Sequence, residues 1–520
     1  MKIRYLGIAM LVTVLMSTTI TSCREEWDAH YATLPADKSD LNLYDFIKSQ
    51  SDLSTFTKML ETSGYDSILS KPQTFTVWAP SNDALSGLNT SDPLLAMEIV
   101  KNHITRFSYT TSGIARSTML MLNSKLIPFE KLADGYYFNE KKIIKTDLAA
   151  ANGILHVIGE YAPYKKNIWE YINTAKGLDS LKMYINSLTR REFDMDASYK
   201  DGVFKDSIFK TTNPVLTRLA SLDAEDSLYT ALLPDNQAWT MAYNKIFPFF
   251  NTTSTDGGVR QQRTSTMWTL IKDLFFRNKI KVPSTLNPLE STSETKFYNP
   301  DYLFSGSQPV VMSNGLSYVI SSWQIPDTVS WFKPIRIEAE NSFGRTVSNL
   351  GTSVNSGLGT GMTVSNNYYL VLRDAALSQL SRLYVTYSIP GTLSARYNIY
   401  CTFVPKSILD PNDKKPYQVK FYLTYTNSSG QQVANAAIGA ANNVLKPSDP
   451  AAVFTTDPTK IHKMLVVKDF TFPYSNAVFS ANTATELIKQ IKVSLRIESV
   501  NTKEKDDILI DCIILEPVLQ

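Results

Sequence analysis

Residues 74–85 read Thr74-Phe75-Thr76-Val77-Trp78-Ala79-Pro80-Ser81-Asn82-Asp83-Ala84-Leu85. A β-branched and aromatic run is stopped by Pro80, and a Ser/Asn/Asp cluster of the kind that caps helices follows at once. This predicts a strand passing straight into a helix, with Asn82 or Asp83 as the cap. A second copy stands at Leu228-Tyr229-Thr230-Ala231-Leu232-Leu233-Pro234-Asp235-Asn236-Gln237-Ala238-Trp239, with Pro234 lying 154 positions beyond Pro80. That offset is the size of a domain, so a duplicated unit is expected.

A second motif repeats with the first. Asn152-Gly153-Ile154-Leu155-His156-Val157-Ile158 recurs as Asn314-Gly315-Leu316-Ser317-Tyr318-Val319-Ile320, each read as an Asn-Gly turn followed by an alternating strand. The gap from proline to Asn-Gly is 72 residues in one copy and 80 in the other, a difference that surface loops absorb.

Together the two boxes resemble the signature motifs of fasciclin-like domains, a strand–Ala-Pro–Ser/Thr-Asn/Asp box and an Asn-Gly-x-x-His box. The resemblance implies two compact α/β units, each a β-wedge flanked by helices, over residues 40–165 and 166–332, and it implies a role in adhesion. The first copy departs little, with Trp78 where the family usually has phenylalanine and Leu85 where it has an aromatic. In the second, Leu233 replaces the alanine and Tyr318 the histidine. The motif residues Pro80, Asn82, Asp83, Asn152, Gly153, His156, Pro234, Asp235, Asn314 and Gly315 are read as structural. No second His or Cys stands at ligand spacing from His156, so its imidazole is expected to tie neighbouring loops together rather than to bind metal or act as a base.

After Trp331-Phe332-Lys333-Pro334 the texture changes to short β-type runs separated by Gly, Ser, Asn and Pro, which predicts an all-β unit over residues 333–520. Strands are expected at 368–372, 382–388, 396–403, 418–425, 464–470, 488–497 and 508–515, enough for a two-sheet jelly-roll sandwich. Its ends, Ile335-Arg336-Ile337-Glu338-Ala339-Glu340-Asn341 and Ile508-Leu509-Ile510-Asp511-Cys512, resemble the opening and closing strands of galactose-binding-like carbohydrate-binding modules. That resemblance implies a structural calcium held by Glu338, Glu340 and Asp511. Carboxylates at 338 and 340 would lie on one face of a strand, and hard oxygens suit Ca²⁺; a solvated edge strand is the other reading of the same pattern. Tyr368, Tyr369, Tyr384 and Tyr387 are available as sugar platforms or as core. The stretches 410–417 and 434–443 are read as ligand loops or insertions.

The N-terminus carries an address. Lys2 and Arg4 precede an apolar stretch from Leu6 to Ile20, of signal-peptide length and short of a membrane span. Ile20-Thr21-Ser22-Cys23 resembles the bacterial lipobox, which implies a signal peptide over 1–22 and lipidation of Cys23. Acyl chains contribute roughly 0.8 kcal/mol per buried methylene, enough to hold a protein on a bilayer without a spanning helix. Residues 23–39 then form a tether, and its Arg24-Glu25-Glu26-Trp27-Asp28 resembles the export signal of Bacteroidetes surface lipoproteins; a plain solvated tether is the alternative.

Composition narrows the function classes. With 43% hydrophobic and 19% charged residues in 520, the chain should be folded and multidomain. A net charge of +3 from 52 basic and 49 acidic side chains is too even for a phosphate-tracking surface, which argues against nucleic acid. Of three cysteines, Cys401 and Cys512 fall in one domain, where they either pair or remain buried thiols. Four scattered histidines, no His-Glu-x-x-His, no Gly-x-Ser-x-Gly and a Gly357–Gly361 run without a following helix or P-loop lysine point away from an enzyme. The expectation is a non-enzymatic, lipid-anchored outer-membrane surface protein needing no cofactor beyond the calcium. It would bind a glycan or matrix-like protein and accompany a glycan-uptake system. The alternative is a docking subunit of an outer-membrane complex with no soluble ligand of its own.

Overall fold

The computed structural model describes residues 38–347, 351–373, 383–476, 484–500 and 507–519. The signal peptide, Cys23 and most of the tether lie outside the described residues, as does Arg382 at the start of one expected strand. The described chain forms two compact units. One runs to Tyr171 and includes Leu222–Leu228 and Val311–Gly315; the other comprises Ile172–Ser221, Tyr229–Val310 and Leu316 onward.

In the first unit, α1 (Leu43–Lys48), α2 (Ser54–Ser63) and α3 (Pro93–Asn102) cover one face of β1 (Phe75–Pro80). The other strands are β2 (Ile104–Arg106), β3 (Arg116–Leu120), β4 (Leu126–Leu132), β5 (Gly135–Phe138), β6 (Lys141–Ala150) and β7 (Gly153–Ile158), in the sheet order β2-β1-β7-β6-β5-β4-β3. The two motifs are neighbours: β1 and β7 pair in parallel, with Trp78 opposite His156.

Both motif strands are buried along their whole length, so β7 does not alternate as expected. Val77, Ala79, Leu155 and Val157 face a helical layer that includes Phe56, Leu60 and Val100. Trp78 and Ile158 face a second core with Phe129 and Phe138. A strand covered on both faces has no polar side to show. Gly153 is required by close approach: a Cβ there would sit 2.1 Å from the Phe75 carbonyl oxygen.

The asparagines act over longer range than local capping suggests. Asn82 makes no side-chain cap to the 3₁₀ turn at Asp83–Leu85. Its Oδ1 instead accepts from Thr55 N at 2.8 Å, satisfying the first turn of α2. Asn152 accepts from Leu43 N (2.7 Å) and donates to the carbonyls of Leu69 and Lys71, pinning the start of α1 to β7.

Every one of these bonds has a counterpart further on. Asn236 Oδ1 accepts from Ser180 N, and Asn314 accepts from Ile168 N while donating to the carbonyls of Leu222 and Ala224. Thr76 Oγ1 donates to Phe107 O and accepts from Tyr109 N; Thr230 Oγ1 donates to Asn278 O and accepts from Ile280 N. Phe107 and Asn278 share a left-handed φ of 72° and 69°.

The second unit opens with α4 (Asp179–Ser187), followed by β8 (Arg190–Phe193), β9 (Tyr199–Lys200), β10 (Val203–Phe204) and β11 (Phe209–Thr212). Next come β12 (Tyr229–Pro234), α5 (Asn236–Ile246), α6 (Gly258–Ile271), β13 (Phe275–Arg277), β14 (Leu289–Glu290), β15 (Lys296–Phe297), β16 (Pro309–Met312) and β17 (Gly315–Ile320). The order β13-β12-β17-β16 repeats β2-β1-β7-β6. Here Asp235 does cap its helix, accepting from Ala238 N at 2.8 Å, and that helix is a full one.

The remainder is a two-sheet sandwich. One sheet has the order β20 (Gly351–Ser356), β21 (Tyr368–Arg373), β29 (Ile508–Pro517), β23 (Arg396–Phe403), β27 (His462–Thr471), with β18 (Ile335–Glu338) also on β29. The other has β19 (Arg345–Val347), β22 (Tyr384–Ser388), β28 (Ser494–Ser499), β24 (Gln418–Thr426), β25 (Gln432–Ala437), with β26 (Phe454–Thr455) on β24. The strand expected over 488–497 begins as a helix, α7 (Ala484–Gln490), and only its end is strand β28. Cys401 faces Ile513 and Thr402 faces Cys512 across the ladder, so the two thiols project to opposite faces of the sheet and stay unpaired.

An aromatic column of Phe249, Trp331, Phe332, Tyr397 and Phe472 joins the helical part of this unit to the sandwich. Lys492 adds an ion pair to Asp256 at 2.6 Å.

Candidate functional site

His156 is fully buried, its ring stacked on Trp78. Nδ1 accepts from Asp147 N (3.2 Å), so Nε2 carries the proton and donates to Tyr109 O (2.9 Å). Burial holds its pKa below the ordinary value, and the neutral ring ties Asp147 of β6 to the loop at Tyr109 with both nitrogens occupied. Tyr318 donates to Ile280 O at 2.9 Å in the repeated position. Neither offers a free nucleophile, base or metal ligand.

The sandwich carries the acidic corner. Glu338 Oε1 accepts from Ser365 Oγ and Asp511 Oδ1 from Ser365 N, both at 2.8 Å. Ligand atoms of Glu338, Asp511 and Cys512 lie within 4.8 Å of one another. Glu340 does not belong to that group. β18 ends at Glu338, so residue 340 falls in a turn rather than on the strand face, and its Oε1 accepts from Asn366 instead. Burial, with Glu338 adding to it, pushes Asp511 up to about 6 and Cys512 up to about 12. Buried Oε2 atoms of Glu338 and Glu340 have no hydrogen-bond partner, which suits an oxygen-binding cation there. Arg336, bonded to Ser365 Oγ and Cys512 Sγ, supplies some positive charge already.

A polar–aromatic cluster lies elsewhere, on the outer face of the β19-β22-β28-β24-β25 sheet. Val385, Tyr387, Leu495, Ile497, Phe421 and Leu423 point into the core, so their neighbours in sequence point out. Cross-strand register sets Tyr384 beside Glu498 beside Lys420, and Thr386 beside Arg496 beside Tyr422. Arg496 donates twice to Glu498 Oε2, at 3.1 and 2.7 Å, and its guanidinium lies 3.7 Å from the Tyr384 ring centre. Tyr384, Tyr422, Lys420 and Arg496 are half-buried, and Glu498 is buried at 4% exposure beneath them.

The expected platform residues separate accordingly. Tyr369 and Tyr387 are core, Tyr368 is exposed, and Tyr384 alone of the four joins this face. Lys420, Tyr422, Arg496 and Glu498 went unread, because only the pairing of strands far apart in sequence brings them together. Of the stretch 434–443, Ala436, Ala437 and Ile438 are fully buried, which removes them as ligand contacts, while 410–416 is exposed or half-exposed.

Residues 51–161 match the family model of the fasciclin domain. The chain therefore contains a fasciclin domain. The match spans both motif boxes of the first copy and every strand of the seven-stranded sheet. Human periostin is 25% identical over 134 residues, which is 24% of this chain and 16% of periostin, so the chain spans about a sixth of that relative's length. A FAS1 domain pair from the insect cell adhesion molecule fasciclin I is similar at 12% identity, over 54% of this chain and 98% of that one, with a TM-score of 0.20. The C-terminal family 22 carbohydrate-binding module of Clostridium thermocellum Xyn10B is similar at 11% identity, over 37% and 97%, with a TM-score of 0.21. Beyond the fasciclin domain the chain is multidomain, with a sheet-rich C-terminal region. Among the described residues no helix is long and apolar enough to cross a membrane.

Proposed function

We propose that this chain is a non-enzymatic surface protein that binds glycan through the outer face of its sandwich and also carries two fasciclin-like domains, residues 40–165 and 166–332. The observation that carries the reading is the Tyr384–Arg496–Glu498 arrangement. The Arg496 guanidinium lies over one face of the Tyr384 ring and is fixed by buried Glu498, so it would offer fixed donors to sugar hydroxyls beside an aromatic edge. The repeated hydrogen bonds of Asn82 and Asn236, and of Asn152 and Asn314, support the second fasciclin-like domain.

Lipidation at Cys23 would place the protein on the outer membrane, where it would serve a glycan-uptake system. Glu338 and Asp511 would hold a structural Ca²⁺, with Glu340 reaching the same loop. Weak sites of this kind gain strength from multivalency on an extended polymer. A glycan array with the chain from Arg24 onward tests the reading: binding that Tyr384→Ala removes supports it, and silence on the whole array favours the docking-subunit alternative.

A further inference from the structure

The second copy is longer than the first in one place. Thr55 N and Ser180 N donate to the equivalent Asn82 and Asn236, and the carbonyls of Leu69 and Leu222 accept from the equivalent Asn152 and Asn314. Yet Leu69 lies 14 residues after Thr55, whereas Leu222 lies 42 after Ser180. The extra chain is the double hairpin β8–β11.

This arm is well rooted and otherwise uncovered. At its base, buried Asn213 donates to Ile185 O (2.7 Å) and Thr189 Oγ1 (2.9 Å). Asp194 N donates to Ile208 O, and Ser198 bonds Ile208 through both its oxygen's lone pair and its hydroxyl, which joins the two hairpins. From residue 190 to 211, Ser198 is buried, Asp194 is half-buried and all the rest are exposed.

What the arm exposes is apolar. Phe193 and Phe209 face each other across the first ladder at 41% and 45% exposure, with Arg191 stacked on Phe209. Tyr199 and Phe204 do the same across the second at 43% and 51%. Met195, Val203 and Ile208 add 67%, 55% and 41%.

Aromatic side chains present roughly 150–250 Å² each when free, so Phe193, Phe209, Tyr199 and Phe204, each about half exposed, lay open on the order of 400 Å². That matches the largest apolar patch a monomer usually leaves uncovered, about 300–600 Å². It is about half of the roughly 800 Å² that each partner buries in a stable complex. Isolated two-stranded hairpins are marginal in water, so cover would also stabilise the arm itself. Between residues 190 and 212 stand Arg190, Arg191, Lys200, Lys205 and Lys210 against Glu192, Asp194, Asp196, Asp201 and Asp206, which cancel. A surface with both signs interspersed and no net charge is complementary to itself, and it gives an anionic bilayer no electrostatic purchase.

The geometry points to the β8–β11 arm as a self-association surface, on which a second copy of this chain packs its own arm. The proposal is independent of the glycan-binding reading, and its test uses a different observable. Sedimentation velocity of the chain from Arg24 onward, between 1 and 100 µM, compares the native sequence with Phe193→Ser/Phe209→Ser and with Tyr199→Ser/Phe204→Ser. Thermal melting confirms that each variant keeps its fold, since these side chains contribute to no core. The expected result is a dimer whose dissociation constant rises at least tenfold in both variants. A monomer at 100 µM would overturn the proposal, as would a dimer that neither double variant weakens. Vesicles of phosphatidylcholine alone and with phosphatidylglycerol form a second arm, in which binding by the native monomer, lost in the variants, would assign the surface to lipid instead.

Discussion

His156 and Tyr318 close the same bond with different chemistry: imidazole Nε2 donates to Tyr109 O at 2.9 Å, and phenol Oη donates to Ile280 O at 2.9 Å. The repeated position asks for a donor of sufficient reach on the central strand, and both residue types supply it. Tyr318→Phe should cost about 1 kcal/mol, one net hydrogen bond. His156→Phe leaves both Asp147 N–H and Tyr109 C=O unpaired in the interior and should cost about 2–4 kcal/mol. Urea unfolding followed by tryptophan fluorescence measures both, and equal costs would contradict the assignment.

Acid should loosen the first unit. His103 is fully buried, with Nδ1 on Ile99 O and Nε2 accepting from Ala162 N, and burial pushes it down to about 4; His156 is lowered by the same cause. Both folded values lie below the unfolded value near 6.5, so the unfolded chain binds more protons between those limits. The stability these neutral rings contribute is present above pH 6.5 and is lost as pH falls toward 4. Melting temperatures between pH 7.5 and 4.5 should decline, and His103→Gln should flatten the curve.

Lys125 is nearly buried, with Glu170 at 2.8 Å and Glu225 at 2.6 Å. Removing the ammonium leaves Glu225 enclosed without its counter-charge. Lys125→Ala should therefore destabilise by about 3–5 kcal/mol, whereas Lys125→Met with Glu225→Gln should recover much of the loss. A double-mutant cycle by urea unfolding checks this.

A cation at Glu338 and Asp511 must compete with a proton, because burial lifts the Asp511 carboxyl to about 6. Calcium should raise the melting temperature of the native chain at pH 7.5, raise it less at pH 5.5, and leave Asp511→Asn unmoved. No effect at pH 7.5 would leave the acidic corner a solvated hydrogen-bonding site.

What could be read from the chain followed the range of the interactions. The repeat was legible because Pro80, Asn152 and their counterparts are short motifs with local signatures. The closing strand was legible because residues 508–515, buried throughout, read as an apolar run broken only by Asp511. Capping chemistry at Asn82 was visible, but its target was not: the bond it makes reaches Thr55, 27 residues earlier. The Lys125 partners lie 45 and 100 residues away. The Tyr384 and Arg496 contact depends on strand register, which a single-residue slip would turn to the other face, and nothing within either strand specifies its neighbour. The α7 segment escaped because Ile488 and Ile491 fit a strand as well as a helical turn.

The central claim is that the Tyr384–Arg496–Glu498 face binds sugar. Titration calorimetry of the chain from Arg24 onward, against the strongest glycan found on an array, compares the native protein with Tyr384→Ala and Arg496→Ala. The account predicts at least a tenfold loss of affinity in each variant; Arg496→Ala also takes the Arg496 counter-charge from buried Glu498 and lowers the melting temperature, so Tyr384→Ala carries the comparison at unchanged fold. Glycan binding that survives both substitutions would contradict it and place recognition on another surface.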